Sequence, residues 1–279
     1  SDLPAMSLVN ASRSELTKQF TTAMWWVLAV VLLAYVGVTA GGLSAVFGAA
    51  ASGTLPGGTT SGARVSPTSL PPLIYSLATS VGYVFPLLIG TLLVTNEFRH
   101  KTLTPTFLAT PRRGIALGGK LAAAVVMGVL YAAVALVAAV GIGAAVLAAF
   151  GVDTRLGETD TWAMIGRIVA SFVLWTLIGV GVGTLVRNQV AAVVGVLAFT
   201  QFLEPIARTV ATLVDGVSGV TAYLPGAASD ALVGSSIYAT MGAGGAAPLA
   251  WWGGGVVLLA YAAVFLGLGY LTSWRRDVA

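Results

Sequence analysis

Between Met24 and Leu271 the chain alternates long apolar runs with short polar breaks, and the apolar runs exceed the roughly 18 residues at which a hydrophobic segment reads as membrane-spanning. A backbone in hydrocarbon has no water to satisfy its polar groups, so runs of this length are expected to be helices rather than irregular chain. Mean hydropathy is +0.92 and 57% of the residues are hydrophobic, against 9% that are charged. The expectation is an all-α membrane protein forming a single transmembrane domain over residues 1–279. It has six transmembrane helices, an N-terminal amphipathic helix, and a broken, partly re-entrant outer segment before the last span.

Residues 1–22 start at Ser1 rather than Met, as a processed or recombinant terminus would. Leu8, Leu16 and Phe20 among Arg13, Glu15 and Lys18 suggest a short interfacial helix. Span one is read from Met24 to about Phe47, too long for the h-region of a signal peptide, with Trp25 and Trp26 at the inner interface. Residues 48–69 are rich in Gly, Ser, Thr and Pro and read as a loop. Span two runs from about Pro72 to Thr95, and Pro86 is expected to kink it. Span three covers Ile115 to Phe150, with Lys120 snorkelling to the inner interface. A short acidic loop leads to Trp162 and span four, which ends at Val186; Arg187-Asn188-Gln189 turns the chain into span five, Val190 to about Leu203. Residues 204–247 mix charges, prolines and glycines and are expected to form broken helices before span six, about Leu249 to Leu271. Small residues at close-packing intervals, such as Gly37 with Gly41, Gly114 with Gly118, and Gly179, Gly181 and Gly183, permit close helix approach within a bundle or between protomers.

Charge orients this arrangement. Arg13, Lys18, Arg99, Lys101, Arg112, Arg113, Lys120, Arg187, Arg275 and Arg276 fall on one side, and Arg64, Arg155, Arg167 and Arg208 on or near the other. That ten-to-four bias puts both termini in the cytoplasm of a multi-pass cell-membrane protein. The same rule accounts for the net charge of +4, so nucleic acid is not an expected partner. With no cysteine and one histidine, thiolate metal sites are excluded and imidazole chemistry has little to work with. Gly216-Val217-Ser218-Gly219 matches the nucleophile motif of rhomboid-type intramembrane proteases, but His100, the single histidine, lies in an inner loop, so Ser218 is read as a turn residue.

The segment from Asn96 to Arg113 concentrates charge between two apolar runs. Asn96 can cap a first turn, and Thr104-Pro105 has the N-cap and N1 signature of a short helix that Thr110-Pro111 ends. Leu103, Phe107 and Leu108 give that helix an apolar side, flanked by Arg99, Lys101, Arg112 and Arg113. Such a helix could be gripped by a soluble motor; the other reading is an ordinary basic connector.

The run Asn96-Glu97-Phe98-Arg99-His100-Lys101-Thr102-Leu103, followed by Leu108-Ala109-Thr110-Pro111-Arg112-Arg113 and Lys120, resembles the inner loop of bacterial ABC-2 type permeases. The N-terminal helix, the six spans and the outer segment with Tyr223-Leu224-Pro225-Gly226 are similar to that family as well, so the likeness covers nearly the whole chain. Lys101 departs from the glycine that the family often places before the Thr. The resemblance implies a permease subunit of an ATP-driven exporter in the bacterial inner membrane. It would be non-catalytic, without a cofactor of its own, and would act with a second permease protomer, identical or related, and a separate ABC ATPase subunit that carries ATP and Mg. It implies that residues 96–113 act as the coupling loop, with Thr102 and Leu103 among its partner-binding residues: Glu97 and Arg99 orient it, Phe107 and Leu108 insert into the ATPase, and Arg112 and Arg113 meet its acidic rim or lipid phosphates. The sequence has no GxxxxGK[ST] loop, in keeping with ATP bound by another chain.

Readings from other classes are an ATP-independent channel, scramblase or carrier, and a structural membrane subunit. A carrier usually shows ionisable residues in mid-membrane, which spans one, two, three and six lack. Glu204 and Arg208, one helical turn apart, are expected to pair and to close the outer end of the path as a gate, or else to touch substrate.

Overall fold

The computed structural model describes residues 3–54, 65–109, 112–240 and 249–274. Arg64, Thr110, Pro111, Arg275, Arg276 and residues 241–247 of the outer segment lie outside the described residues. The protein is all-α, with no strand among the described residues and six helices long and apolar enough to cross a membrane.

The N-terminal helix α1, Leu3–Thr21, lies against the first turns of the third span. It turns Glu15 and Gln19 inward and leaves Leu8, Val9 and Phe20 exposed together with polar residues such as Arg13 and Thr17. Span one is α2, Met24–Ala51. Span two is made of α3, Leu70–Ser80, and α4, Val84–His100. The interruption falls at residues 81–83, before Pro86 rather than at it. Pro86 cannot donate to the Gly82 carbonyl, which instead accepts from Phe85 N–H at 3.2 Å, so the proline sits in the first turn of a restarted helix where its missing donor costs little.

A short helix α5, Leu103–Ala109, precedes the third span: α6, Arg113–Leu136, a π-helical stretch Val137–Ile142, and α7, Gly143–Ala149. Span four is α8, Thr159–Leu185. Span five runs through α9, Gln189–Ala198, a π-helical stretch Phe199–Leu203, and α10, Glu204–Leu213, well past the end read from sequence. The wide turn explains the difference: Glu204 N–H reaches back five residues to the Phe199 carbonyl, and Pro205 then opens a fresh α-helical turn instead of breaking the span. The connection to span six carries three short helices, α11, Ser218–Thr221, α12, Pro225–Val233, and α13, Ile237–Thr240. Span six is α14, Trp251–Gly269, with a last π turn, Tyr270–Trp274.

Spans two and four form the most buried part of the bundle, and the crossing of α4 with α8 depends on glycine. A Cβ at Gly90 would overlap the Thr176 carbonyl, one at Gly179 the Leu87 carbonyl, and one at Gly183 would come within 2.7 Å of the Thr91 carbonyl. Gly181 faces Phe265 of span six, Gly37 and Gly41 face Ile142, and Gly118 faces Leu8. These glycines therefore serve packing within one chain, where dispersion between close backbones holds helices together in lipid. Spans one, five and six turn broad apolar faces outward.

Candidate functional site

Two charge clusters lie at opposite ends of the bundle. At the end carrying α1 and α5, four side chains from three helices alternate in sign around a closed ring. Lys18 Nζ is 2.8 Å from Glu15 Oε1 and 2.9 Å from Glu97 Oε1, while Lys120 Nζ is 2.9 Å from Glu15 Oε2 and 2.9 Å from Glu97 Oε2. The Lys120–Glu97 contact is a close ion pair without hydrogen-bond geometry, whereas Lys120 donates well to Glu15 and more weakly to the Leu93 carbonyl. Two ammoniums and two carboxylates leave the ring neutral, which makes its burial tolerable. Lys120 is 0% exposed, so it does not snorkel: the first turns of α6 lie beneath α1, and the carboxylates on both sides provide the counter-charge that the interface would otherwise supply. Burial works against the Lys18 ammonium, but hydrogen bonds to Glu15 and Glu97 outweigh it and hold the group above the ordinary lysine range.

The short helix is tied to this ring. Thr106 Oγ1 donates to Glu97 Oε1 at 3.1 Å and lies 3.4 Å from Lys18 Nζ. Leu103 is buried and Phe107 half-buried against the same apolar cluster as Leu93 and Leu117, with the Arg113 guanidinium 5.1 Å from the Phe107 ring centroid. Leu108, by contrast, is 77% exposed, and Thr104 and Pro105 are also exposed. The apolar residues of α5 thus divide. Leu103 and Phe107, four apart, seat the helix on its own chain, and Leu108 points away from it.

The remaining loop residues also have local roles. Asn96 is inside α4 rather than capping it, and its Oδ1 accepts from Gln189 Nε2, while Arg99 donates to Gln189 Oε1. These bonds fasten the loop to the start of span five. Thr102 accepts through its carbonyl from Thr106, so α5 begins two residues earlier than Thr104-Pro105 suggested. Lys101 takes a left-handed conformation, φ 54 and ψ 33, to cap α4, which is the geometry that favours glycine there. Arg112 is exposed at the N-cap of α6. Arg187, on the turn before span five, donates to the Thr272 carbonyl and to Ser273. Beside the ring lies a cavity of about 520 Å³ lined by Glu15, Lys18, Asn96, Glu97, His100 and Thr106 among others.

At the opposite end, Glu204 and Arg208 are neighbours but not hydrogen-bonded partners. Arg208 Nη2 bonds Asp230 Oδ2 at 2.8 Å and its guanidinium stacks 4.2 Å from the Tyr238 ring centroid, while Glu204 Oε1 accepts from Ala227 N–H at 3.0 Å. The expected pair is replaced because α12, packed against spans four and six and α3, offers each group a better partner. Gly226 leaves room for the carboxyl, since a Cβ there would lie 2.6 Å from Glu204 Oε1. Arg167 Nη2 reaches the Val233 carbonyl at the other end of α12, so an acid holds the helix N-terminus and a base its C-terminus, as the helix dipole favours. Ser229, in the middle, bonds Ser171 and Trp175 of span four. Ser218 lies in a four-residue helix at this end, far along the chain topology from His100.

Sequence reasoning named Glu97 and Lys120 but missed the ring, and it missed Asp230 as the partner of Arg208. The available signal was charge balance: two acids and two bases embedded in or beside apolar segments call for mutual pairing. Among the described residues no group of three or more His, Asp or Glu is placed to hold a metal ion. No protein-family model matches the chain, and no curated protein matches it in sequence.

Proposed function

We propose that the chain is the permease subunit of an ATP-driven ABC exporter of the ABC-2 type. Two such protomers would form the substrate path in the cell membrane, with both termini and residues 96–113 on the cytoplasmic side. ATP and Mg belong to a separate ATPase chain, and this chain is non-catalytic. The resemblance of residues 96–120 to the inner loop of those permeases supports the reading, and one structural observation carries it further: α5 presents Leu108 outward, while Thr106 bonds to a ring spanning α1, α4 and α6 and Leu103 is buried in the apolar cluster of Leu93 and Leu117. A partner gripping Leu108 would push on spans two and three and on the interfacial helix together, because buried ion pairs and close packing transmit displacement rather than absorb it.

The test is Leu108→Ala beside Leu108→Arg in the native host. An apolar anchor at an interface centre typically contributes about 2 kcal/mol, or about thirtyfold in affinity. The alanine variant should lower ATPase co-purification by that order and the arginine variant should abolish it, both with normal membrane expression. Unchanged ATPase capture with both variants would return α5 to the status of a connector, and with it the channel, carrier or structural-subunit readings.

A further inference from the structure

At the outer cluster the charges do not balance. Glu204 and Asp230 are acidic and Arg208 is the base bonded to Asp230, leaving one negative charge over in a site closed by α3, α4, α10, α12 and α13. Glu204 is 2% exposed, 9% of Ser80 is exposed, and neither Glu204 Oε2 nor Ser80 Oγ has a hydrogen-bond partner. Both residues line a cavity of about 10 Å³ shared with Tyr83, Arg208, Asp230 and Tyr238. Glu204 is the sixteenth residue of span five, roughly 22 Å along it by helical rise.

We propose that this cluster is a proton-binding site in which Glu204 carries the proton. A proton on Oε2 removes a buried negative charge from an oxygen that no donor compensates, and it brings the cluster to neutrality. Oε1 remains free to accept from Ala227 N–H, so protonation leaves the hold on α12 in place. A sodium ion fits the site poorly. The cavity is at the lower limit for one water molecule, and the Arg208 guanidinium lines it, whereas a metal cation needs several oxygens and no adjacent base. The groups facing Glu204 are Tyr83 at the start of α4, Arg208 one turn along its own helix, Asp230 on α12, Tyr238 on α13 and Tyr261 on α14. Arg208 is the only permanently cationic member, and Asp230 already engages it.

Loss of the proton would leave a buried carboxylate oxygen without a donor and a net negative site. Water or a substrate cation would then be drawn between span five and α12. The site would thus link the outer end of the path to external pH, an effect beyond ATP-driven export and independent of any ATPase.

The experiment is infrared spectroscopy of the purified full chain in detergent, read in the carbonyl-stretch region of protonated carboxylic acids. Wild type at neutral pH should show such a band, and it should be missing from Glu204→Gln, a variant that keeps the Ala227 acceptor and the neutral form of the site. Protection of the α12 amides from hydrogen exchange, taken relative to the intrinsic rate at each pH, should fall as pH rises in wild type and stay level in Glu204→Gln. Absence of the band in wild type at neutral pH, its loss in Asp230→Asn but not in Glu204→Gln, or a sodium dependence of α12 exchange would each overturn the assignment. Capture of an ATPase plays no part in these readouts, so they fail or succeed separately from the transport reading.

Discussion

Lys120 is fully buried, and its ammonium sits between carboxylates supplied by two other helices. Replacing it in Lys120→Met leaves Glu15 and Glu97 to share Lys18, an uncompensated buried charge that should cost about 3–5 kcal/mol. The measurement is the thermal midpoint in detergent, and Lys120→Met combined with Glu97→Gln should recover part of the loss. A Lys120→Met midpoint equal to wild type would mean the ring does not hold the helices. Lys18 adds a pH dependence of known sign. Its folded-state proton is held more tightly than in the unfolded chain, so its contribution is complete below the ordinary value of 10.5 and is lost as pH rises through the raised one. The difference between wild type and Lys18→Met should accordingly be flat from neutral pH upward and shrink only in strong alkali. Lys101 carries a smaller penalty: a side chain in the left-handed region costs about 1 kcal/mol, so Lys101→Gly should raise the midpoint slightly rather than loosen the loop.

The helices were largely legible as helices because their apolar runs admit no other structure in lipid, but their ends and joints were not. Pro86, expected to kink span two, and Pro205, one of the prolines in residues 204–247, each sit in the first turn of a restarted helix, with the irregularity just upstream at residues 81–83 and 199–203. Hydrogen-bond rerouting of this kind leaves no trace in hydropathy. The glycines of α4 and α8 were visible as a pattern, but only the crossing shows which carbonyls they admit. Gly90→Leu should force α4 and α8 apart at a cost of about 1–3 kcal/mol or more, read as a lower midpoint, whereas the same change at Gly195, which meets nothing nearby, should be neutral. At α12 the expected Glu204–Arg208 pair gives way to Arg208–Asp230. Exchanging the charges of Arg208 and Asp230 should therefore recover more folded protein than either single reversal, and exchanging those of Glu204 and Arg208 should not.

Across the whole molecule, α1, α5, the turn at Arg187 and the end of span six gather at one end, and the loops around residues 65–69 and 153–158 at the other. Under the proposed orientation, a cysteine at exposed Thr104 should resist an impermeant thiol reagent in intact cells, and one at Ser66 should react; the reverse pattern would invert the topology. The short helix α5 was readable from residues 96–113 as a helix between two spans. What pattern could not supply was its division into a face that binds its own chain, Leu103 and Phe107, and a residue turned away from it, Leu108, because both kinds of position are equally apolar. The central claim is that this outward residue meets an ATPase. Its most direct test is purification of the wild-type chain from its native host in gentle detergent, with mass spectrometry of what co-purifies and assay of ATP hydrolysis. The account predicts a stoichiometric chain carrying a GxxxxGK[ST] loop and ATP hydrolysis by the complex. A folded permease chain that purifies without any ATP-binding partner, and transports its cargo in ATP-free vesicles, would contradict it.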